Sequence, residues 1–347
     1  MAVYTLKALE LKDKNVLLRL DLDLPENQDG FDTTRLEAGA QTLNFILKRG
    51  AAKVHVIGHR GRPDGKVVKK LSLKPITDLL IEMIPENKRE RVTFGDNLRF
   101  DPGEEGNSKA FAKKLAKGFD FYVNDGFATA HREHASMVQL PLILPTVMGR
   151  TFEKEIKTFQ KVYRKPDRPV TLILGGGKSD KAEYLKTMFD FVNVFVVGGK
   201  LAAEMDKEEA EKEHRKLIVC EVTEDGLDIT KDAYERAERF IKASGTVIWN
   251  GPMGKYEDGE HGKGTEYIAD TLSRTKTFSI IGGGDTEAAV DHFEVDKSKY
   301  SHVSTGGGAM MEFFANGGTL PAYEAIVEGQ QKFFLGRLFR VYFIALS

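Results

Sequence analysis

Residues 279 to 286 read SIIGGGDT, a β-branched apolar run that passes straight into three glycines. Glycine lets backbone N–H groups approach an anion with no Cβ in the way, and a helix starting at the turn adds its positive N-terminal end. Strand ends of this kind are where open parallel sheets bind phosphates. Working outward, the pattern recurs at LILGGGK (172 to 178), FVVGGK (195 to 200), VIWNGP (247 to 252) and SHVSTGGG (301 to 308). One such turn is weak evidence. Together they point to a parallel α/β lobe whose strand ends take a nucleotide.

The first half ends its strands differently. VLLRLDLDLP (16 to 25) closes with Arg19, Asp21 and Asp23, VHVIGHRGRP (54 to 63) with His59, Arg60 and Arg62, VTFGDNLRF (92 to 100) with Arg99, and FYVNDGFATAHREH (121 to 134) with His131, Arg132 and His134. If these strands are parallel, their C-terminal ends converge on one edge. Arginine and histidine gathered there form a cationic basin suited to phosphate and carboxylate, which arginine holds bidentately.

At 347 residues, 41% apolar and 30% charged, the chain exceeds what one core usually holds. Two domains are expected: 1–149 for an anionic substrate, 150–167 as interdomain helix and linker, and 168–326 for a nucleotide. TFEKEIKTFQKVYRK carries Phe152, Ile156, Phe159 and Val162 at helical spacing before Pro166 and Pro169 break it, so a hinge helix is expected there. LEAGAQTLNFILKRG (36 to 50) and AYERAERFIKASG (233 to 245) read as further helices, and the alternation predicts βαβ units in both lobes. With 51 basic against 52 acidic residues, general attraction to nucleic acid or an anionic membrane is not expected. A single cysteine, Cys220, excludes an intrachain disulfide framework and suits a reducing compartment. MAVYTLKALELKDKN lacks the apolar run of a signal peptide, so a cytoplasmic monomer is the expectation.

Blander readings are weighed in turn. GKS at 177 to 179 invites a P-loop, but the first glycine of that motif would fall on Leu172, so the motif is rejected. His59, His131 and His134 suggest zinc, yet the interleaved Arg60, Arg62 and Arg132 would repel a cation. Trp249 reads as core, and KEEAEKEHRK (207 to 216) as a solvated helix face.

In order along the chain, RLDLDLP, DTTRLEAG, GHRGRP, NLRF, NDGFATAHREHAS, LGGGKSDK, WNGPMGKYE, IGGGDT and STGGGA resemble the ordered signature of the phosphoglycerate kinase family. The resemblance implies two Rossmann-like lobes, each a parallel sheet flanked by helices. It implies reversible phosphoryl transfer between 1,3-bisphosphoglycerate and ADP, giving 3-phosphoglycerate and ATP. It assigns the substrate acid to Asp21, Arg35, His59, Arg62, Arg99 and Arg132, with Asp23 beside them. It assigns the nucleotide to Gly176, Gly177, Lys178, Lys181, Gly199, Asn250, Pro252, Glu257, Gly283, Gly284, Asp285 and Thr286. Asp285 would hold Mg²⁺ through the nucleotide phosphates, Glu257 would take the ribose hydroxyls, and Gly306 to Gly308 would lie near the transferred phosphate. Arg35, Lys178, Lys181, Gly284 and Gly307 are the groups it places at the chemistry.

The chain departs from that pattern at several points. Asp23 stands where the family has asparagine, Lys178 and Lys181 are one residue closer than usual, and Lys200 and Glu204-Met205 replace the family's residues beside the nucleotide. Between GGKLAAEM and the strand at 246 several dozen residues are missing, and Asp228 is followed by Ile229-Thr230-Lys231 in place of a Gly-Pro turn. After LPAYEAI comes QQKFFLGRLFRVYFIALS, an apolar extension whose longest uncharged run, Val341 to Ser347, is too short to span a bilayer. We expect residues 327–347 to pack back on the first lobe, an interfacial or partner-binding helix being the alternative. The departures keep two other functions open, a catalytically impaired binding module and a kinase of another small carboxylic acid.

Overall fold

The computed structural model describes residues 3–27, 30–177 and 179–335. Its strands run, in chain order, β1 (Asn15–Arg19), β2 (Glu26–Asn27), β3 (Gly30–Phe31), β4 (Lys53–Ile57), β5 (Val92–Phe94), β6 (Phe121–Asn124), β7 (Thr146–Met148), β8 (Val170–Leu174), β9 (Val194–Val197), β10 (Leu217–Val219), β11 (Thr246–Asn250), β12 (Phe278–Gly282) and β13 (His302–Ser304). By its contacts the chain forms two compact units, one holding the residues up to Ile156 and those from Thr319 on, the other Lys157–Gly318.

In the first unit five strands lie in the order β5-β4-β1-β6-β7, every pair parallel. The sequence order 3-2-1-4-5 reverses between β1 and β6, and in a doubly wound sheet that reversal opens a crevice at the strand C-termini. β1 is apolar on both faces, as a covered parallel strand must be. Leu18 and Val16 join the core beneath the helix Thr34–Lys48, whose buried residues include Leu36, Leu43 and Ile46; Leu17 faces the opposite core with Ile57 and Tyr122. The short antiparallel pair β2 and β3 leads into that helix.

The second unit orders its six strands β10-β9-β8-β11-β12-β13, again all parallel, with the reversal between β8 and β11. β8 (VTLIL) and β11 (TVIWN) are buried at every position, which explains why they read as continuous β-branched runs. Trp249 is fully buried, and its indole N–H donates to the Gly251 carbonyl at 2.8 Å, tying the core strand to the turn that follows it.

The helix Arg150–Arg164 carries the chain from one unit into the other. Phe152, Ile156, Phe159 and Val162 form its buried stripe. Phe152 meets Phe127 edge-on at 5.6 Å in the first unit, and Phe159 meets Phe314 at 5.4 Å in the second. After Gly318 the chain returns. The helix Pro321–Gln330 packs on the first unit, where the Gln330 side-chain amide donates to Tyr4 O and Thr146 O, both at 3.0 Å, and its carbonyl accepts the Tyr4 N–H at 2.8 Å. Phe334 stacks on Tyr4 with centroids 4.6 Å apart. The extension beyond Leu335 lies outside the described residues.

Candidate functional site

In the first unit the C-terminal ends of β1, β4 and β6 carry the charged groups. Alternation along RLDLD puts Arg19, Asp21 and Asp23 in phase while Leu20 and Leu22 enter the core. Arg19 is fully buried: its Nε donates to Ser136 Oγ at 2.9 Å, its Nη2 lies 3.5 Å from His59 Nδ1, and its Nη1 lies 3.9 Å from Asp21 Oδ1. Ser136 in turn donates to the buried Glu104 at 2.6 Å, and Tyr122 OH donates to the Ser136 carbonyl at 2.8 Å. Asp21 Oδ2 accepts the Ala128 N–H at 2.8 Å. Burial pushes the Asp21 carboxyl above its ordinary value, against the pull of Arg19.

Around this base Arg35, Asp23, His59 and Arg99 are linked. Arg35 donates to the Asp23 carbonyl at 3.2 Å, Asp23 Oδ1 accepts the Gly61 N–H at 2.9 Å, and Arg99 donates to the Gly61 carbonyl at 2.7 Å. His59 Nε2 sits 3.7 Å from Asp23 Oδ2. Burial first, then the guanidinium charges of Arg19 and Arg99, hold His59 neutral by pushing it well below the usual histidine range. Facing a guanidinium, Nδ1 presents its lone pair, which leaves Nε2–H toward Asp23. His131 and His134 are likewise held down, to about 4 and about 3, by burial and the neighbouring arginines. Arg132 acts on both of them and on Arg99, so it belongs to the same field; Arg62, directly after Gly61, is exposed. All the net positive charge here therefore comes from arginine.

In the second unit the turns after β8, β9, β11, β12 and β13 touch through their backbones. The Gly176 N–H donates to Pro252 O at 2.6 Å and the Gly175 N–H to Asn250 O at 3.0 Å. Gly199 adopts φ +60°, and a Cβ there would come within 2.8 Å of the Gly176 nitrogen. Gly251 has φ +99° and Gly283 φ +110°, conformations that side chains resist. A Cβ on Gly307 would run into the Gly283 backbone. Asn250 Nδ2 donates to Gly282 O at 2.7 Å, and Thr286 Oγ1 accepts the Gly251 N–H at 2.7 Å while donating to Gly282 O at 3.1 Å. Lys181 donates to Gly175 O at 2.7 Å and Asn250 O at 3.2 Å, sitting at the point where the strand order reverses.

On the rim, Gly284 and Asp285 are exposed in the first turn of the helix Gly284–His292, and Gly307 opens the helix Gly307–Ala315. Glu257 lies in the turn Tyr256–Asp258. Burial, then Glu257 and Asp285, push the Tyr256 phenol up to about 12, which places both carboxylates in the field of one ring. Gly177 faces Lys200, whose Cδ would be 3.6 Å from a Cβ there. Lys178, expected at the chemistry, lies outside the described residues. The network of Glu104, Ser136 and Tyr122 under Arg19 escaped sequence reasoning, and so did Thr265, whose hydroxyl accepts the N–H groups of Met253 and Gly254 at 2.9 and 3.2 Å. Only Arg19 carried a signal, its phase with Asp21 and Asp23.

Parallel sheets that end in glycine turns or clustered arginines are built to take anionic ligands at that edge. This fold and its strand ends assign the chain to that class of two-sheet α/β proteins. The sequence model of the family described as "Phosphoglycerate kinase" matches residues 6–217 and 203–317, two pieces that overlap where the sequence is shortened. The chain belongs to the phosphoglycerate kinase family. It is 33% identical to a phosphoglycerate kinase of Finegoldia magna over 397 residues, covering 93% of this chain and 99% of the relative. It is 35% identical to one of Pseudothermotoga lettingae, covering 94% and 99%. The aligned lengths exceed the 347 residues present, so the relatives carry segments that this chain lacks. Among solved structures, phosphoglycerate kinase from Coxiella burnetii superposes with TM-score 0.79 at 26% identity over 94% of this chain and 99% of that one. The enzyme from Pyrococcus horikoshii does so with TM-score 0.80 at 25% identity over 95% and 100%.

Proposed function

We infer that this chain is a phosphoglycerate kinase, transferring a phosphoryl group between 1,3-bisphosphoglycerate and ADP to give 3-phosphoglycerate and ATP. Family membership over nearly the whole chain is the observation that carries this reading. The two kinds of strand end support it. The arginines around Asp21 and His59 fit an acid bearing phosphate, and the glycine turns from Gly176 to Gly307 fit the phosphates of a nucleotide.

In the reverse direction the attacking carboxylate of 3-phosphoglycerate, with a pKa of about 4, is already ionised near neutrality. No general base is needed, which agrees with histidines held neutral and buried rather than poised to take protons. Catalysis is then positioning plus neutralisation of charge on the phosphoryl oxygens. Arg35, Arg62, Arg99 and Arg132 would bind the acid, with Asp21 and His59 orienting it. Lys178, Lys181 and the backbone at Gly284 and Gly307 would neutralise the phosphoryl oxygens during transfer, Asn250, Pro252 and Thr286 would shape the phosphate turn, and Glu257 would take the ribose.

Magnesium binds oxygen, keeps several waters, and is usually held by one or two carboxylates together with substrate phosphates. The exposed Asp285 at a helix N-terminus beside the glycine turn fits that demand. When bound with the nucleotide, Mg²⁺ would supply neutralisation of phosphate charge. Among the described residues no helix is long and apolar enough to cross a membrane. A monomer in the cytoplasm is part of this proposal, and the one cysteine is buried with its thiol pushed up to about 12.

The test is a coupled assay with 3-phosphoglycerate, ATP and Mg²⁺ that detects 1,3-bisphosphoglycerate by its reduction, with Asp285→Ala as control. Turnover lost in the control is expected. Turnover of another carboxylic acid with 3-phosphoglycerate inert would overturn the substrate assignment.

A further inference from the structure

The segment between β10 and the helix Lys231–Ala243 closes on itself. Val222 and Ile229 form an antiparallel bridge, the Thr223 N–H donates to Asp228 O at 2.8 Å, and the Gly226 N–H donates to Thr223 O at 2.8 Å. At the tip, Asp225 Oδ1 accepts the Thr223 hydroxyl at 2.6 Å and the Leu227 N–H at 3.0 Å. Its other oxygen, Oδ2, meets His261 Nε2 at 2.8 Å. The second ring nitrogen, Nδ1, meets Asp258 Oδ2 at 2.8 Å, and Asp258 Oδ1 accepts the N–H groups of Glu260 and His261 at 2.9 and 3.0 Å. One imidazole thus joins two carboxylates, and it can donate to both only when it carries two protons.

The loop and the Tyr256–Asp258 turn are pressed together elsewhere as well. The Lys255 N–H donates to Leu227 O at 2.8 Å, the Gly264 N–H to Asp228 Oδ2 at 3.1 Å, and Gly254 has no room for a Cβ between Asp228 and the His261 carbonyl. On its far side the turn is seated by the Tyr256 ring against Phe293.

We propose that His261 is a positioning residue for the nucleotide: by clasping Asp225 of this loop to Asp258, it fixes the Tyr256–Asp258 turn and so the Glu257 carboxylate that receives the ribose hydroxyls. The proposal rests on the role given to Glu257 above. The charged groups facing the imidazole are Asp225 and Asp228 from the loop and Asp258 from the turn, with Lys255 3.7 Å from Asp258 Oδ2. The carboxylates prevail, Asp258 first, and raise the histidine above its ordinary value. A raised histidine makes the full clasp below its unfolded pKa and loses it as pH climbs through the folded value.

Calorimetric titration of the full chain with MgADP decides the matter, using wild type, His261→Gln, Asp225→Asn and Glu257→Ala at about pH 6 and about pH 9. Glu257→Ala should weaken binding at both. His261→Gln should weaken it about three- to ten-fold at the lower pH, as expected for one or two hydrogen bonds, and match wild type at the higher, with KM for ADP raised and kcat unchanged. Asp225→Asn should give the same low-pH loss, and the double variant no further loss. Because every protein meets the same ligand, titration of the nucleotide cancels. Wild-type affinity of His261→Gln or Asp225→Asn at about pH 6, with Glu257→Ala impaired, overturns the clasp. An equal loss at both pH values reduces His261 to packing and overturns it too. An unimpaired Glu257→Ala instead removes the ribose assignment beneath it, a separately visible failure. Should His261→Gln not fold, Asp225→Asn alone carries the decision.

Discussion

The strand ends of the two units are built in opposite ways. In the first, charged side chains crowd the edge: Arg19, Arg35 and Arg99 are held by Ser136, Asp23 and Gly61, beside histidines kept neutral. In the second, glycine turns touch through their backbones, and they lie so close that Gly199, Gly251 and Gly307 leave no space for a methyl group. The contrast teaches that one unit is specified by charge and the other by shape. A charge can be removed without moving the chain, whereas a shape is lost with a single carbon.

The sharpest break of this comparison is Gly307→Ala. Its Cβ would enter the Gly283 backbone, so the two glycine turns must separate. We expect turnover to fall by about a thousand-fold or more, the scale of a lost set of preorganised donors, and the second unit to lose about 2–4 kcal/mol in urea unfolding. A variant as stable and active as wild type would show that the turns are not shape-limited.

Arg35→Ala comes next. It removes one half-buried guanidinium that donates to the Asp23 carbonyl. Turnover should drop about 10²–10³-fold, with ADP affinity and the unfolding midpoint unchanged. Loss of stability comparable to that of Gly307→Ala would erase the contrast between the units.

A smaller effect concerns Asp125, a buried carboxyl that accepts the Phe152 N–H at 2.9 Å at the start of the helix Arg150–Arg164. Burial pushes it up to about 7. An acid with a raised pKa binds more protons folded than unfolded, so stability declines as pH rises from its ordinary value of 3.8 to about 7. Asp125→Asn keeps the acceptor and removes the charge. Thermal unfolding should rise by a few degrees above about pH 7 and match wild type near pH 4; a pH-independent difference would assign Asp125 a purely packing role.

Asp23→Asn should do least. An asparagine can still accept the Gly61 N–H, and the lost charge lies 3.7 Å from His59 in a partly open place. KM for 3-phosphoglycerate should fall a few-fold, worth less than about 1 kcal/mol, with stability unchanged. A raised KM would mean that the carboxylate itself orients the substrate.

Much of this was written locally. β8 and β11 read as buried strands because both faces are covered, and the glycines after them mark turns because positive φ and backbone contact tolerate nothing larger. Phe152, Ile156, Phe159 and Val162 announced their helix by spacing alone. What stayed hidden depends on partners distant in sequence. Nothing in the residues around Glu104 foretells a fully buried carboxylate under Ser136, and Asp23 gives no sign that Gly61 takes one of its oxygens. The clasp at His261 joins residues 36 apart, a pairing that only the folded loop creates. By its contacts the chain rejoins the first unit at Thr319, where the sequence reading carries the second lobe to residue 326; within that stretch the Ala322 N–H donates to the Ala130 carbonyl at 3.1 Å, a partner that lies far away in sequence.

That return has a consequence for the order in which the molecule is made. The first unit lacks its closing helix until all of Lys157–Gly318 has left the ribosome, an interval on the order of ten seconds at usual synthesis rates. During it Tyr4 and Thr146 stand without Gln330, so the nascent first half waits as an unfinished body while the second is completed. The helix Pro321–Gln330, made after the whole second unit, therefore acts as the latch of the earliest part of the chain.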